Sequence, residues 1–129
     1  MKLRPASMAD ARRLFEWRND PITREMSIAQ DEVEWSSHVQ WLARRLERDE
    51  PELFIAEVEG RPVGTVRFDN GEVSFTVAPE ERGKGVATAM LKLAHAMRGP
   101  CVAKIKATNI ASLRAAENAG HVIVVLPEN

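Results

Sequence analysis

The chain has 129 residues, 44% hydrophobic and 29% charged, the balance of a globular protein long enough to bury its own core. Lys and Arg total 18 against 19 Asp and Glu, and neither half carries a basic tail, so general nucleic-acid binding, which rests on neutralising phosphates, is not expected. A single Cys excludes an internal disulfide and a Cys-rich zinc site, and no apolar run reaches the length of a leader or a bilayer span. A cytoplasmic protein of one domain over residues 1–129, without metal or membrane partner, is expected.

Lys2–Arg4 predicts a short first strand, ended by Pro5. Ser7-Met8-Ala9-Asp10 has the spacing of a capping box. Met8, Ala11, Leu14 and Phe15 recur at helical spacing and predict a helix over 8–17, which Asn19-Asp20-Pro21 is expected to stop. A second helix is expected over 31–48. Trp35, Val39, Leu42 and Leu46 form its apolar stripe, with Asp31, Glu32 and Glu34 in the first turn and Arg44, Arg45 and Arg48 near the end, as the helix dipole favours.

The period then changes. Leu53–Val58, Pro62–Phe68 and Glu72–Val77 read as three strands. Gly60 marks the first turn, and Asn70-Gly71 the second, a type I′ hairpin signal. Val86, Met90, Leu93, Ala94 and Met97 predict a further helix, closed by Gly99-Pro100. Cys101–Ala107 predicts a fifth strand. Asn109 caps a last helix over 110–119, Gly120 follows at its C′ position, and Val122–Leu126 is a final strand. The order β-α-α-β-β-β-α-β-α-β gives an α+β fold, a mixed and mostly antiparallel sheet flanked by four helices.

The stretch that carries chemistry runs from Val77 to Thr88, where a strand ends, a glycine-containing basic loop follows, and a helix begins. Successive N–H groups at such a helix start bind anions, and the dipole adds to them. Gly83 and Gly85 allow close backbone approach, Ala87 keeps the first turn slim, and Arg82 and Lys84 add positive charge. A phosphate or pyrophosphate is the expected ligand. The loop is not a Walker A sequence, and its strand belongs to a meander rather than a βαβ unit. Taken alone, the motif fits a plain glycine turn equally well. Further on, Asn109-Ile110-Ala111-Ser112 and Ala119-Gly120-His121 bracket a second capped helix, consistent with an arm facing the first.

Together these pieces resemble the GNAT superfamily of acetyl-CoA-dependent N-acetyltransferases. Its pyrophosphate signature Arg/Gln-x-x-Gly-x-Gly/Ala is matched by Arg82-Gly83-Lys84-Gly85-Val86-Ala87, its preceding Val-x-Pro by Val77-Ala78-Pro79, and its Asn-x-x-Ser by Asn109 and Ser112. The aromatic after the family's later glycine is replaced by His121. Phe15-Glu16-Trp17-Arg18-Asn19-Asp20-Pro21, His38-Val39-Gln40-Trp41-Leu42 and Gly64-Thr65-Val66-Arg67-Phe68 resemble the branch that acetylates the 4-amino group of UDP-amino sugars in pseudaminic-type pathways. Ribosomal-protein N-terminal acetyltransferases carry similar Trp-Arg-Asn and His-x-x-Trp-Leu pieces. There are two departures. The family's general-acid Tyr falls at Ala116, in a chain without any Tyr. One strand follows the last helix where the family usually has two, so the C-terminal strand of the pattern is expected to be missing.

The resemblance implies direct acetyl transfer from acetyl-CoA to a primary amine of a small acceptor in a ternary complex. It places the pyrophosphate on Arg82, Gly83, Lys84, Gly85, Val86, Ala87 and Thr88, with Asn109 and Ser112 also contacting the co-substrate. It places the Val77 N–H at the developing oxyanion. Glu72 and His38 are the two candidates for the base; Glu72 fits a solvated residue just past the Asn70-Gly71 turn at least as well, and the stripe around His38 favours a half-buried His that only packs. Ser112 is expected near the CoA thiol. Trp17, Arg18, Asn19, His38 and Arg67 are expected to meet the acceptor, Trp17 by stacking on a ring and Arg18 or Arg67 at a diphosphate. Glu81 is expected in a solvated loop, and Cys101 as a small buried apolar residue. An N-terminal peptide acetyltransferase and a non-catalytic acyl-CoA-binding module are the alternatives. The apolar strand Val122–Leu126, without a partner beyond it, is an expected homodimer edge.

Overall fold

The computed structural model describes residues 1–28, 30–48 and 52–127. Ser7 opens the first helical segment as its sequence promises. Its side chain accepts from the Ala9 N–H, and the Asp10 carboxylate returns to the Ser7 N–H, so the capping box is complete. It caps a single 3₁₀ turn over Met8–Asp10, which continues as α1 over Ala11–Asn19. Asp10 is buried. It accepts two bonds from Arg4, at 2.7 and 2.8 Å, and one from Arg13. Burial pulls its carboxyl upward, and the bonds from Arg4, Ser7 N–H and Arg13 overcome this, leaving it below the usual carboxylate range.

Asn19-Asp20-Pro21 does more than stop α1. Asp20 caps the Thr23 N–H, and Pro21 occupies the first helical position of α2, over Pro21–Met26. Among the described residues five α-helices therefore flank the sheet rather than the expected four. The next, α3, spans Trp35–Leu46, so Asp31, Glu32 and Glu34 precede it instead of filling its first turn.

The strands follow the predicted periods. They are β1 (Lys2–Pro5), β2 (Leu53–Val58), β3 (Arg61–Asp69), β4 (Glu72–Val77), β5 (Val102–Lys106) and β6 (Val122–Leu126). Their order in the sheet is the chain order, antiparallel from β1 to β4 and parallel from β4 to β6. Asn70 and Gly71 both have positive φ, 48° and 82°, as a type I′ turn requires. Two further helices are α4 (Val86–Arg98) and α5 (Ile110–Asn118).

Two cores sit on opposite faces. One packs Met90, Leu91 and Ala94 of α4 and Ala115 and Ala116 of α5 against Phe54, Val66, Phe68 and Val73. The other packs Leu14 and Trp17 of α1 and Leu42 of α3 against Leu53 and Ile55. Gly64 lets α4 approach closely, because a Cβ there would lie 2.7 Å from Met90 Sδ. At the far edge, β6 leaves Val122 and Val125 each 54% exposed.

Candidate active site

β4 and β5 share a single register, Glu72 with Val102, and then part. Strand amides alternate in direction. Ala78 N–H donates to Val63 O at 2.8 Å, toward β3, so Val77 N–H faces the opposite side, into the split. Phe75 N–H faces the same way by the same alternation. The split therefore exposes main-chain donors and acceptors along the end of β4.

After β4 the chain makes a 3₁₀ turn over Pro79–Glu81 and enters the glycine loop. Gly83 and Gly85 have φ of 77° and 76°, a region costly for residues with a side chain. A Cβ at either would meet nothing within 4 Å. Gly85 is the N-cap of α4, whose 13 residues direct a dipole at the loop. Arg82, Gly83, Gly85, Val86, Ala87 and Thr88 line one wall of a cavity of about 440 Å³, and Asn109 and Ser112 line the facing wall. Open space over two glycines at a helix N-terminus suits a phosphate-bearing ligand such as CoA.

This cavity continues into a second one of about 560 Å³ through a neck formed by Thr23, Met26 and Ser27 of the α2 region, Phe75 and Thr76 of β4, and Asn109 and Ser112. The second cavity lies under α1 and α3. Trp17, His38 and Trp41 form its aromatic wall, Thr65 and Arg67 its β3 wall, and Lys104 and Lys106 its β5 wall. The two cavities make one channel that passes through the split beside Val77.

Residues 1–122 match the family model described as the Acetyltransferase (GNAT) domain. The chain belongs to the GNAT acetyltransferase family. A search of curated proteins returns no match. Among solved structures, a ribosomal-protein-alanine N-acetyltransferase from Brucella melitensis is 26% identical, with a TM-score of 0.71 over 93% of this chain and 83% of that one. A Salmonella typhimurium protein solved with its cofactor acetyl-CoA is 24% identical, with a TM-score of 0.72 over 93% of this chain and 78% of that one. An aminoglycoside acetyltransferase solved with coenzyme A is 20% identical, with a TM-score of 0.71 over 92% of this chain and 82% of that one. The last two likenesses concern the fold.

Within this GNAT domain the expected residues separate. Gly83, Gly85, Val86, Ala87, Thr88, Asn109 and Ser112 come together around the first cavity. Asn109 caps α5, its Oδ1 accepting from Ser112 N–H at 3.4 Å, and both residues also line the neck. Two cations of the loop are already engaged. Arg82 donates to Asp20 and, at 3.0 Å, to Thr23 Oγ1, which ties the loop to α2. Lys84 Nζ lies 3.3 Å from Glu81 and does not line the cavity. Glu81 is buried rather than solvated, because Arg61 Nε donates to it at 2.8 Å from the other side. Arg61, with Lys84 behind it, holds the Glu81 carboxyl below the usual range.

Of the two expected bases, His38 reaches the channel and Glu72 does not. Glu72 sits at the joined end of β4 and β5, paired with Lys104 at 2.7 Å and lining neither cavity. Five residues of extended strand, about 17 Å, separate it from Val77. His38 is buried, with Nε2 2.9 Å from Ala11 O. A carbonyl only accepts, so that nitrogen carries the proton and Nδ1 keeps its lone pair in the neutral ring. Burial pushes the His38 pKa down; the Ala11 bond opposes this and the nearby Arg18 reinforces it.

Trp17, Arg18 and Arg67 line the second cavity, while Asn19 does not. The Asn19 amide bonds the N–H and the carbonyl of Val33, each at 2.8 Å, and so fixes the segment entering α3. Ala116 is fully buried and lines neither cavity, so no side chain at that position reaches the neck without repacking. His121 fills a core slot. Its Nδ1 accepts from Cys101 N–H at 3.0 Å, and its Nε2 lies 2.8 Å from Leu91 O. Cys101 is buried, and burial pushes its thiol pKa up. Sequence reasoning missed the contribution of α2 to the neck, and the Asp20-Pro21 pair, an N-cap followed by a favoured first helical residue, was the available signal. Among the described residues no group of three His, Cys, Asp or Glu side chains is poised to hold a metal, and no helix is long and apolar enough to cross a membrane.

Proposed function

We propose that this protein transfers the acetyl group of acetyl-CoA to a primary amine of a small acceptor, by direct attack in a ternary complex, and that the acceptor is a nucleotide-linked amino sugar. The observation that carries this reading is the continuous channel from the glycine loop, past Val77, to an aromatic-walled cavity. Acetyl-CoA supplies an activated thioester. The loop from Arg82 to Thr88 holds its pyrophosphate, and the free edge of β4 pairs with its pantetheine arm. Val77 N–H donates to the carbonyl oxygen as negative charge develops there. His38, through Nδ1 directly or through water, takes the proton that the attacking amine sheds. The C–S bond breaks as the C–N bond is completed, and Ser112 at the neck is placed to donate to the departing sulfur. A thiol with a pKa near 8.5 leaves with little help, which suits a neck without a phenol.

The sugar reading rests on the likeness of the N-terminal segments to amino-sugar acetyltransferases and on Trp17 and Trp41 beside the acceptor space. Peptide N-terminal acetylation is the second reading, favoured by the Brucella melitensis relative. The whole chain, 1–129, is one functional unit on this account, and β6 with its exposed valines is its homodimer edge. Turnover assays with acetyl-CoA against amino-sugar nucleotides and N-terminal peptides test the function. Release of CoA with the sugars supports it, and turnover of peptides alone overturns the sugar assignment. A monomeric mass by light scattering would end the dimer proposal.

A further inference from the structure

Every charged side chain lining the second cavity is a cation: Arg18, Arg67, Lys104 and Lys106. No carboxylate lines it among the described residues. Lys104 is neutralised by Glu72. Among the described residues Lys106 is not paired with a carboxylate; it donates to the Glu25 carbonyl at 3.1 Å. Arg18 is exposed and makes no ion pair among the described residues. Arg67 is held by Trp41, whose ring centroid lies 5.8 Å from its guanidinium carbon, and by Asp69, 3.0 Å from Nε. The Asp69 contact is bent, so buried Nε has no hydrogen-bond partner. Asp69 is also shared, accepting from Arg45 at 2.6 Å and lying 3.6 Å from Arg48. With Glu52 as the other carboxylate, three guanidiniums in this corner, those of Arg45, Arg48 and Arg67, share two carboxylates among the described residues. Burial pushes the Arg67 pKa down, Asp69 opposes this, and Arg45 and Arg18 add to it, as expected of a cation short of counter-charge.

Taking the acetyl-transfer reading as given, we propose that Arg67 and Arg18 form an anion subsite at the far end of the acceptor cavity, so the acceptor is an amine that also carries an anionic oxygen group. The contact of Arg67 with Asp69 through Nε leaves its two terminal nitrogens for the ligand, in the planar fork that suits phosphate or carboxylate. Ser74, the register partner of Arg67, lies three residues before Val77, about 10 Å along β4. Reckoned along the strand, the anion subsite and the oxyanion donor therefore lie about 10 Å apart. Polycationic amines such as aminoglycosides are repelled by the same corner. Arg45 is a positioning residue here, since it holds Asp69 and lines neither cavity, while Trp41 lines the cavity and packs against Arg67.

The test has two arms. In the first, acetyl-CoA turnover is compared for an amino sugar, its phosphate ester, its carboxylate analogue (an aminouronic acid) and kanamycin. The anionic compounds should show kcat/KM about 10- to 100-fold above the parent sugar, with kanamycin lowest and the preference shrinking as salt rises. The higher of the two anionic values identifies phosphate or carboxylate. Arg67→Gln should collapse the preference mainly through KM, and Arg67→Lys should restore part of it. In the second arm, inorganic phosphate is titrated into the protein saturated with CoA, which keeps the glycine loop filled. One further saturable site, lost in Arg18→Gln, is expected. Arg18 is exposed, so this variant keeps the fold if Arg67→Gln does not. Gly85→Glu provides the separation. It should lose CoA and keep the Arg18-dependent phosphate site, so failure of the acetyl-transfer reading leaves this inference measurable. Equal kcat/KM for neutral and anionic amines, or phosphate binding unchanged in Arg18→Gln, overturns it.

Discussion

At one end of the channel the lining is main chain: Gly83, Gly85 and the first turn of α4. At the other end it is side chains drawn from four separate elements: Trp17 of α1, His38 and Trp41 of α3, Arg67 of β3 and Lys106 of β5. The first surface is fixed by local dihedrals and a helix dipole, so a short contiguous motif encodes it. The second exists only after β3, β5 and the helices above them have packed. A fold family can therefore keep the donor end constant while the acceptor end changes one side chain at a time.

The comparison breaks most sharply at Gly85. Glu at this position would place a carboxylate in the phosphate cradle and force a side chain into a left-handed conformation that costs about 1–2 kcal/mol. We expect acetyl-CoA affinity to fall by at least about 100-fold in calorimetry, with the circular dichroism of the fold retained. Gly64→Ala acts on the sheet beneath both ends. Its Cβ would lie 2.7 Å from both Met90 Sδ and Thr76 O. Overpacking of this kind should cost about 1–3 kcal/mol in denaturant unfolding. Asp20→Asn removes the partner of Arg82 and loosens α2 at the neck. A half-exposed ion pair of this type is worth at most about 1 kcal/mol. The expected result is a small loss of stability and an acceptor KM raised by less than about tenfold, with acetyl-CoA affinity less affected.

His38 sharpens the acceptor end by its pH dependence. Its folded pKa lies below the ordinary value of 6.5. The stabilisation it reports is complete above that value and is lost as the pH falls from there toward the folded pKa. His38→Phe should flatten this part of the stability–pH curve. An unchanged slope would assign the titration elsewhere.

The strands and the glycine loop were legible because their signals are local. Asn70-Gly71 states its turn, and the spacing of Arg82, Gly83 and Gly85 states a helix start that binds anions. The assignments that moved depend on partners distant in sequence. Glu81 read as solvated, but Arg61 and Lys84 close over it. Glu72 read as a base on β4, but it lies where β4 and β5 are still joined. Asn19 read as an acceptor contact, but Val33 takes both ends of its amide. None of these pairings has a local sequence signature. α2 differs, because Asp20-Pro21 carries a start signal that its role as a stop concealed.

The central claim is that the glycine loop and the neck beside Val77 form a working site for acetyl-CoA. Its most direct test is calorimetric titration of the purified protein with acetyl-CoA, run beside Gly85→Glu. The account predicts saturable binding at one site per chain, lost in the variant. No binding by the unaltered protein, or equal binding by both, would contradict it.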